Sequence, residues 1–350
     1  MENAGFSSTQ IGLAHSFHFA AILFVSNRIY RIVADIGFRK SFIIVLLLGI
    51  AGMWVNYAIF YNYPLHLLSR TILGISIASC FIIAESWINS QVAENIRGRI
   101  VSVYCAVLVS GFAVGAYLLK FTDLESPEPY LLISVIFIAA MLLISLCQNN
   151  KASEDAHSPS SPLKLALSHP LIAMTGFFFG LAETSLLSLL PVYSVKSGFS
   201  IDQAAQLSSL VMLGGAILTI PAGILIDKFN RRTMLAIFCT ISGFLALMVP
   251  TLVDDGSLLN ITLFIIGGMI LPIYPIIMAT IGGEFRGNEL IATTVVLITM
   301  YGFGSAIGPF GSGAAMDFFG KDWLFYVVGG VFILNGLIAL RDMSRRERLQ

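Results

Sequence analysis

Eleven stretches of mostly apolar residues follow one another along this chain, each close to the ~20 residues that a helix needs to cross a hydrocarbon core. They lie near 11–33, 41–61, 65–90, 98–119, 129–148, 169–192, 203–226, 233–253, 258–281, 288–315 and 322–340. In lipid there is no water for the backbone, so each stretch must bond its own N–H and C=O groups, and a helix does this segment by segment. The fold class expected is therefore an all-α polytopic membrane protein. Breaks such as YNYP (61–64), DLESPEP (123–129) and VDDGS (253–257) carry the turn and charge signals of loops in water. Composition agrees: 57% of residues are hydrophobic and 11% charged, against roughly 25% charged in a soluble domain.

Other classes fall away on the same grounds. Net charge is zero and no basic tract interleaves with aromatics, so no nucleic-acid partner is expected. Cys80, Cys105, Cys147 and Cys239 sit in or at the ends of apolar runs without paired spacing, which reads as packing rather than disulfides or zinc. His15 and His18 share a helical face, but no carboxylate or thiol completes a metal site. No paired catalytic carboxylates and no Cys-His pair appear, so an enzyme is disfavoured and no cofactor is expected.

The longest polar stretch, QNNKASEDAHSPSSP (148–162), reads as a flexible linker. It divides the chain into a first half at 1–148 with five segments, a linker at 149–168, and a second half at 169–350 with six. Cytoplasmic loops hold an excess of Lys and Arg. The loops with Arg39 and Lys40, with Arg97 and Arg99, and with Arg231 and Arg232 fall on one side together with the basic C-terminus. That side is expected to be the cytoplasm, in a cytoplasmic (inner) membrane, with the N-terminus outside.

The halves are related. GFSSTQ from Gly5 recurs as GFSIDQ from Gly198, an offset of 193, and the same offset lays Arg39 on Arg232 and Gly74 on Gly267. Parallel repeats joined by a linker are a feature of secondary transporters. The register implies two sets of six helices, twelve in all, with the equivalent of the first one absent ahead of residue 5. The neighbours of that position are expected to keep surfaces made for protein contact.

Between segments seven and eight the chain reads GILIDKFNRRTML, 223–235. This resembles the loop motif of the major facilitator superfamily, G-x-L-x-D-[RK]-x-G-[RK]-[RK]-x-x-L, at Gly223, Leu225, Asp227, Lys228, Arg231, Arg232 and Leu235. Asn230 stands where the motif has glycine, and Asn also tolerates the left-handed backbone of a tight turn. Gly223 is read as a point of close helix approach. The resemblance implies the facilitator fold of two pseudo-symmetric helical halves, with a loop that latches one conformation, making Asp227 and Arg231 gating residues. The first-half copy is degraded, with Tyr30 and Ala34 at the Gly and Asp positions. A narrower resemblance, to an uncharacterised bacterial branch with E-S-W-[LI]-N in its fourth helix, rests on Glu85, Ser86, Trp87, Ile88 and Asn89, followed by Asn95, Arg97, Gly98 and Arg99.

Polar groups inside apolar spans are expensive and point to function. Glu183 lies mid-way along segment six, where a carboxyl shielded from water can load and release a proton; the structural alternative is an acid bonded to a neighbouring helix. Glu85, nearer the cytoplasmic end of its segment, is a second acid that could instead pair with Arg97 or Arg99. Arg70 could meet an anionic substrate or snorkel to the surface. In segment ten, Gly304, Gly308 and Pro309 read as close helix packing and part of an antiporter-like Gly-Pro signature, while Pro272 and Pro275 are expected to kink segment nine. The function expected is a monomeric secondary active transporter moving a small organic solute across the bilayer by alternating access, coupled to protons. The alternative is a truncated or non-transporting membrane protein, receptor-like or remnant.

Overall fold

The computed structural model describes residues 5–59, 62–91, 126–149, 169–285 and 287–347, with single positions between 104 and 123 and Leu167. The chain is all-helical in these residues. The helices are α1 (Ser8–Ile36), α2 (Phe38–Ala58), α3 (Tyr63–Gln91), α4 (Glu128–Ser145), α5 (Pro170–Lys196) and α6 (Ile201–Lys228). They continue as α7 (Arg231–Met248), α8 (Gly256–Ile270), α9 (Ile273–Glu284), α10 (Gly287–Phe319) and α11 (Trp323–Glu347). Ten spans among the described residues are long and apolar enough to cross a membrane, α8 and α9 together making one. Most of the expected segment at 98–119, most of the linker, and Asn95, Arg97, Gly98 and Arg99 lie outside the described residues.

Segment nine is two helices. Proline has no N–H to give to the turn before it, and the helix stops at Ile270 and restarts at Ile273 with Pro272 as its N-cap and Pro275 in its first turn.

Contacts group the chain into two compact units, Met1–Ser16 with Pro159–Gln350, and Phe17–Ser158. The larger unit holds the main core, in which Leu186, Leu189 and Leu190 of α5 meet Leu235 of α7, Leu263 and Ile266 of α8, and Phe325 and Phe332 of α11. The smaller unit has its own cluster around Val25, Ile29 and Val33 of α1, Phe38 and Val45 of α2, and Ile83 of α3, with Trp87 packed against it.

The repeated hexapeptide is one device used twice. Gly5 and Gly198 have φ of 79° and 91°, a region that only glycine enters without steric cost. Two residues on, the Ser7 amide donates to Gln10 Oε1 (3.0 Å) and the Gln10 amide to Ser7 Oγ (3.2 Å). Ser200 and Gln203 repeat this capping box at 2.9 and 3.2 Å. Phe6 and Phe199, between glycine and cap, both pack on the main core. The offset continues into helix packing: a Cβ on Gly74 would collide with the His18 carbonyl of α1, and one on Gly267 with the Val211 carbonyl of α6. His18 and Val211 are themselves 193 apart, so α1–α3 and α6–α8 cross at equivalent points.

The N-terminus of α1 has an additional clamp. Asp317 of α10 accepts from the Ser8 amide (3.0 Å), the Thr9 amide (2.6 Å) and Thr9 Oγ1 (2.6 Å), with Lys196 Nζ at 3.5 Å. A carboxylate here satisfies helix N–H groups that have no partner within the helix. Asp317→Ala is expected to cost this end of α1 about 1.5–3 kcal/mol, the value of a bond to a charged acceptor. Hydrogen exchange at Ser8 and Thr9 should then speed up roughly tenfold or more; an unchanged rate would show that the clamp carries no load.

Candidate functional site

Two glycine pairs place the site. Gly176 and Gly180 on α5 rest against Leu297 and Tyr301 of α10, and Gly304 and Gly308 on α10 rest against Phe177 and Leu181 of α5; each pair is spaced about one helical turn apart, as small residues are in closely packed membrane helices. A Cβ on Gly180 would strike the Tyr301 carbonyl, and one on Gly304 or Gly308 would strike the carbonyls of Phe177 and Leu181. With the backbones in contact, a side chain one turn beyond Gly180 reaches the opposite helix. That side chain is Glu183, and the Tyr301 hydroxyl donates to its Oε2 at 3.0 Å. The pair sits mid-way along both helices.

Aromatic rings wall the pair. Tyr301 lies 5.8 Å from the Phe179 ring and 6.3 Å from Tyr274, and Phe179 lies 6.1 Å from Tyr274. Tyr274 belongs to the first turn of α9, immediately past the break at Pro272. One step along α10, Pro309 cannot bond the Ser305 carbonyl, towards which Thr184 Oγ1 points at 3.4 Å. The next amide, Phe310, donates to Ser16 Oγ of α1 at 3.1 Å. A carboxyl bonded to a phenol in an apolar setting can hold a proton and hand it on.

The loop motif forms a second polar centre, where α7 begins and α9 ends. Arg231 Nη1 donates to the Ala279 carbonyl at 2.9 Å. Arg232, 8% exposed, holds Glu284 at the end of α9 through Nε (3.1 Å) and Nη2 (2.7 and 2.8 Å), and pairs with Asp342 of α11. The Asp227, Lys228 and Glu85 side chains are not all described: those of Asp227 and Glu85 lie outside the described residues. Two expectations from the sequence need correcting. Asn230 is not left-handed: with φ −61° and ψ 119° it is the N-cap of α7, accepting from the Arg232 amide at 3.0 Å and the Thr233 amide at 3.4 Å. Among the described residues Gly223 makes no close helix contact, since a Cβ there would meet no atom of theirs within 4 Å.

In the smaller unit Arg70, about two turns into α3, lines a cavity of about 340 Å³ between α2, α3 and α4. His18, His66 and Tyr130 lie close enough to Arg70 to feel its charge. His18 thus belongs to a basic and aromatic group, and no cluster of three or more potential metal ligands occurs among the described residues.

The sequence profile described as the Major Facilitator Superfamily matches residues 1–290 and 172–349. The chain belongs to the major facilitator superfamily. Its similarity to the uncharacterized MFS-type transporter YcaD of Salmonella typhi is 24% identity over 349 residues, covering 99% of this chain and 90% of that protein. Among solved structures, the nucleoside transporter NupG shares 15% identity at a TM-score of 0.73, with 97% and 91% of the two chains covered. The D-xylose-proton symporter shares 13% at 0.76, with 95% and 87% covered. These likenesses show the facilitator fold. As a facilitator-family protein the chain is a multi-pass secondary transporter and not an enzyme.

Glu183 is visible in the sequence as a lone acid in an apolar span, whereas nothing local marks Tyr301, Glu284 or Asp342. The Gly176–Gly180 spacing in GFFFG is the available signal for the crossing that delivers Tyr301. Removing the central cation should expose the worth of the loop centre: Arg232→Ala leaves Glu284 and Asp342 without it and is expected to lower stability by about 3 kcal/mol. Thermal unfolding in detergent tests this, with Arg232→Lys recovering part of the loss; equal melting of Ala and wild type would show that the ion pairs contribute nothing.

Proposed function

We propose that this facilitator is a proton-coupled transporter of a small organic solute, working by alternating access in the cytoplasmic membrane with its C-terminus inside and acting as a monomer. The observation that carries the reading is the Glu183–Tyr301 pair: an acid held mid-way along α5, bonded to a phenol on α10 and walled by Phe179 and Tyr274. A charged carboxylate in such a place is costly, so proton uptake and release there couple to whatever changes its surroundings. The name of the D-xylose-proton symporter, a protein of the same fold, supports proton coupling and a small polar solute. Glu85 is the second acid to consider. The two halves joined at 149–168 are the moving bodies of this proposal, and the loop from Gly223 to Arg232 is its latch. Arg231 and Arg232 anchor that loop to α9 and α11, leaving Asp227 as the group that switches.

Proteoliposomes with an internal pH dye, challenged with pentoses, nucleosides and organic acids, test the coupling. Wild type is expected to show solute-driven proton flux. Glu183→Gln keeps the shape and much of the hydrogen bonding of the protonated acid, so it should fold and exchange solute while losing flux and uphill accumulation. Flux equal to wild type in the Gln variant would remove Glu183 from the mechanism and turn attention to Glu85.

The latch has its own test. Asp227→Asn loses charge-assisted bonding of about 1.5–3 kcal/mol, enough to move a two-state ratio by roughly tenfold. Double electron–electron resonance distances between spin labels on the two halves should redistribute accordingly, and an unaltered distribution counts against a latch at Asp227.

A further inference from the structure

The cavity around Arg70 has the composition of a binding site in its own right, and we propose that it takes an organic anion with an apolar or aromatic body. Its volume, about 340 Å³, falls within the ~300–1,000 Å³ of small-molecule pockets. Asn56, Arg70 and Tyr130 line it from the last turn of α2 and the first two turns of α3 and α4. A guanidinium offers a planar fork of donors that matches a carboxylate or phosphate, and a neighbouring amide and phenol can supply further bonds to the same head. Met53, Leu73, Ile77, Ile133 and Phe137 line it one to two turns further along the same helices. A charge near the helix ends with hydrocarbon beyond it is the pattern of an amphipathic ligand.

The walls are held in place by their own contacts. Tyr130 packs 4.9 Å from the Tyr57 ring and 6.3 Å from Trp54, whose indole N–H donates to Ser134 Oγ at 3.0 Å. Asn56 Oδ1 accepts from Ser69 Oγ at 3.3 Å, and Ser76 Oγ donates to the Val45 carbonyl at 2.6 Å. A site held in this way spends little of its affinity on ordering itself. It runs from where the C-terminal end of α2 meets the N-terminal ends of α3 and α4, at Asn56, Arg70 and Tyr130, to the middle of those helices at Gly49, Ile77 and Phe137. Helix ends mark the membrane–water interface, where Trp and Tyr gather and where an amphiphile can enter head-last from water or sideways from lipid. The same chemistry therefore has two sources, a soluble organic acid or the head group of an anionic lipid. Neither requires the cavity to lie on the transport route, so binding here stands apart from the coupling at Glu183.

The full chain in phosphatidylcholine nanodiscs, with radiolabelled 1-naphthaleneacetate as probe and neutral 1-naphthaleneacetamide beside it, tests the site directly. The acid should bind about tenfold or more tightly than the amide, Arg70→Met should lose about tenfold or more, and Arg70→Lys should retain part, in keeping with a charge-assisted bond. Ile133→Trp keeps the arginine and fills the apolar wall, so it should also lose the acid; this variant and the acid–amide comparison in wild type serve if Arg70→Met fails to fold. Adding phosphatidylglycerol separates the sources. Unchanged affinity assigns a soluble acid, whereas Arg70-dependent competition assigns a lipid head group. Equal binding of acid and amide, or no binding of the acid together with no Arg70-dependent effect of phosphatidylglycerol on melting, overturns the proposal and leaves Arg70 as a snorkelling side chain.

Discussion

Contact between helix backbones, made possible by glycine, is the constraint on which the rest of this protein depends. Lipid is as apolar as leucine, so helices in a membrane gain little by merely hiding side chains from it and associate through close packing and internal hydrogen bonds. Here close crossings occur where glycines let one helix rest on the carbonyls of another: Gly180 and Gly304 between α5 and α10, Gly267 against α6, Gly74 against α1. Chemistry follows from the first of these. Once α5 and α10 touch, Glu183 and Tyr301 are within bonding distance, with the rings of Phe179 and Tyr274 beside them. A larger residue at Gly180 or Gly304 would act on the Glu183–Tyr301 pair without touching either of its polar groups.

The duplication gains physical content from the same contacts. A repeat seen in sequence as a few matching letters is a left-handed glycine, an aromatic anchor and a Ser–Gln capping box at the start of both α1 and α6. What recurs is the means of starting a helix at a set angle and of crossing it one helix pair later. The intervening surface was left to diverge, which is how the Arg70 cavity can exist in the smaller unit while the equivalent stretch of α8 supplies Leu263 to the core.

Much of this is legible in the order of the residues themselves. Hydropathy alone locates the ten spans found among the described residues, because a bilayer permits few alternatives, and the loop from Gly223 to Leu235 points to the family. Pro272 reads as an interruption because the missing N–H is a property of the residue itself. What stays hidden depends on partners distant in sequence. Nothing near Tyr301, Glu284 or Asp342 announces a role, since each acquires one only when α10 meets α5 or when α9 and α11 converge on Arg232. Asn230 shows a subtler failure: its residue type is compatible with a left-handed turn, but the start of α7 at Arg231 leaves amides in need of an acceptor, and the cap wins. Gly223 fits a packing role by composition yet touches nothing that would require it among the described residues.

The break between α8 and α9 divides one span into two mechanically distinct levers. Its upper part is seated on α6 through Gly267 and Gly268, against Val211 and Leu218. Its lower part ends at Glu284 in the grip of Arg232 and has Tyr274 of its first turn beside Tyr301. Pro272 and Pro275 each withhold an N–H, so the ladder between the levers is already missing rungs and bending there forfeits little that an intact helix would lose. The fulcrum thus lies at the level of Tyr274, and a tilt of α9 about it would swing its far end, with the loop motif's ion pairs, while shifting the ring beside Tyr301 only slightly: a long arm towards the loop and a short arm towards the buried acid.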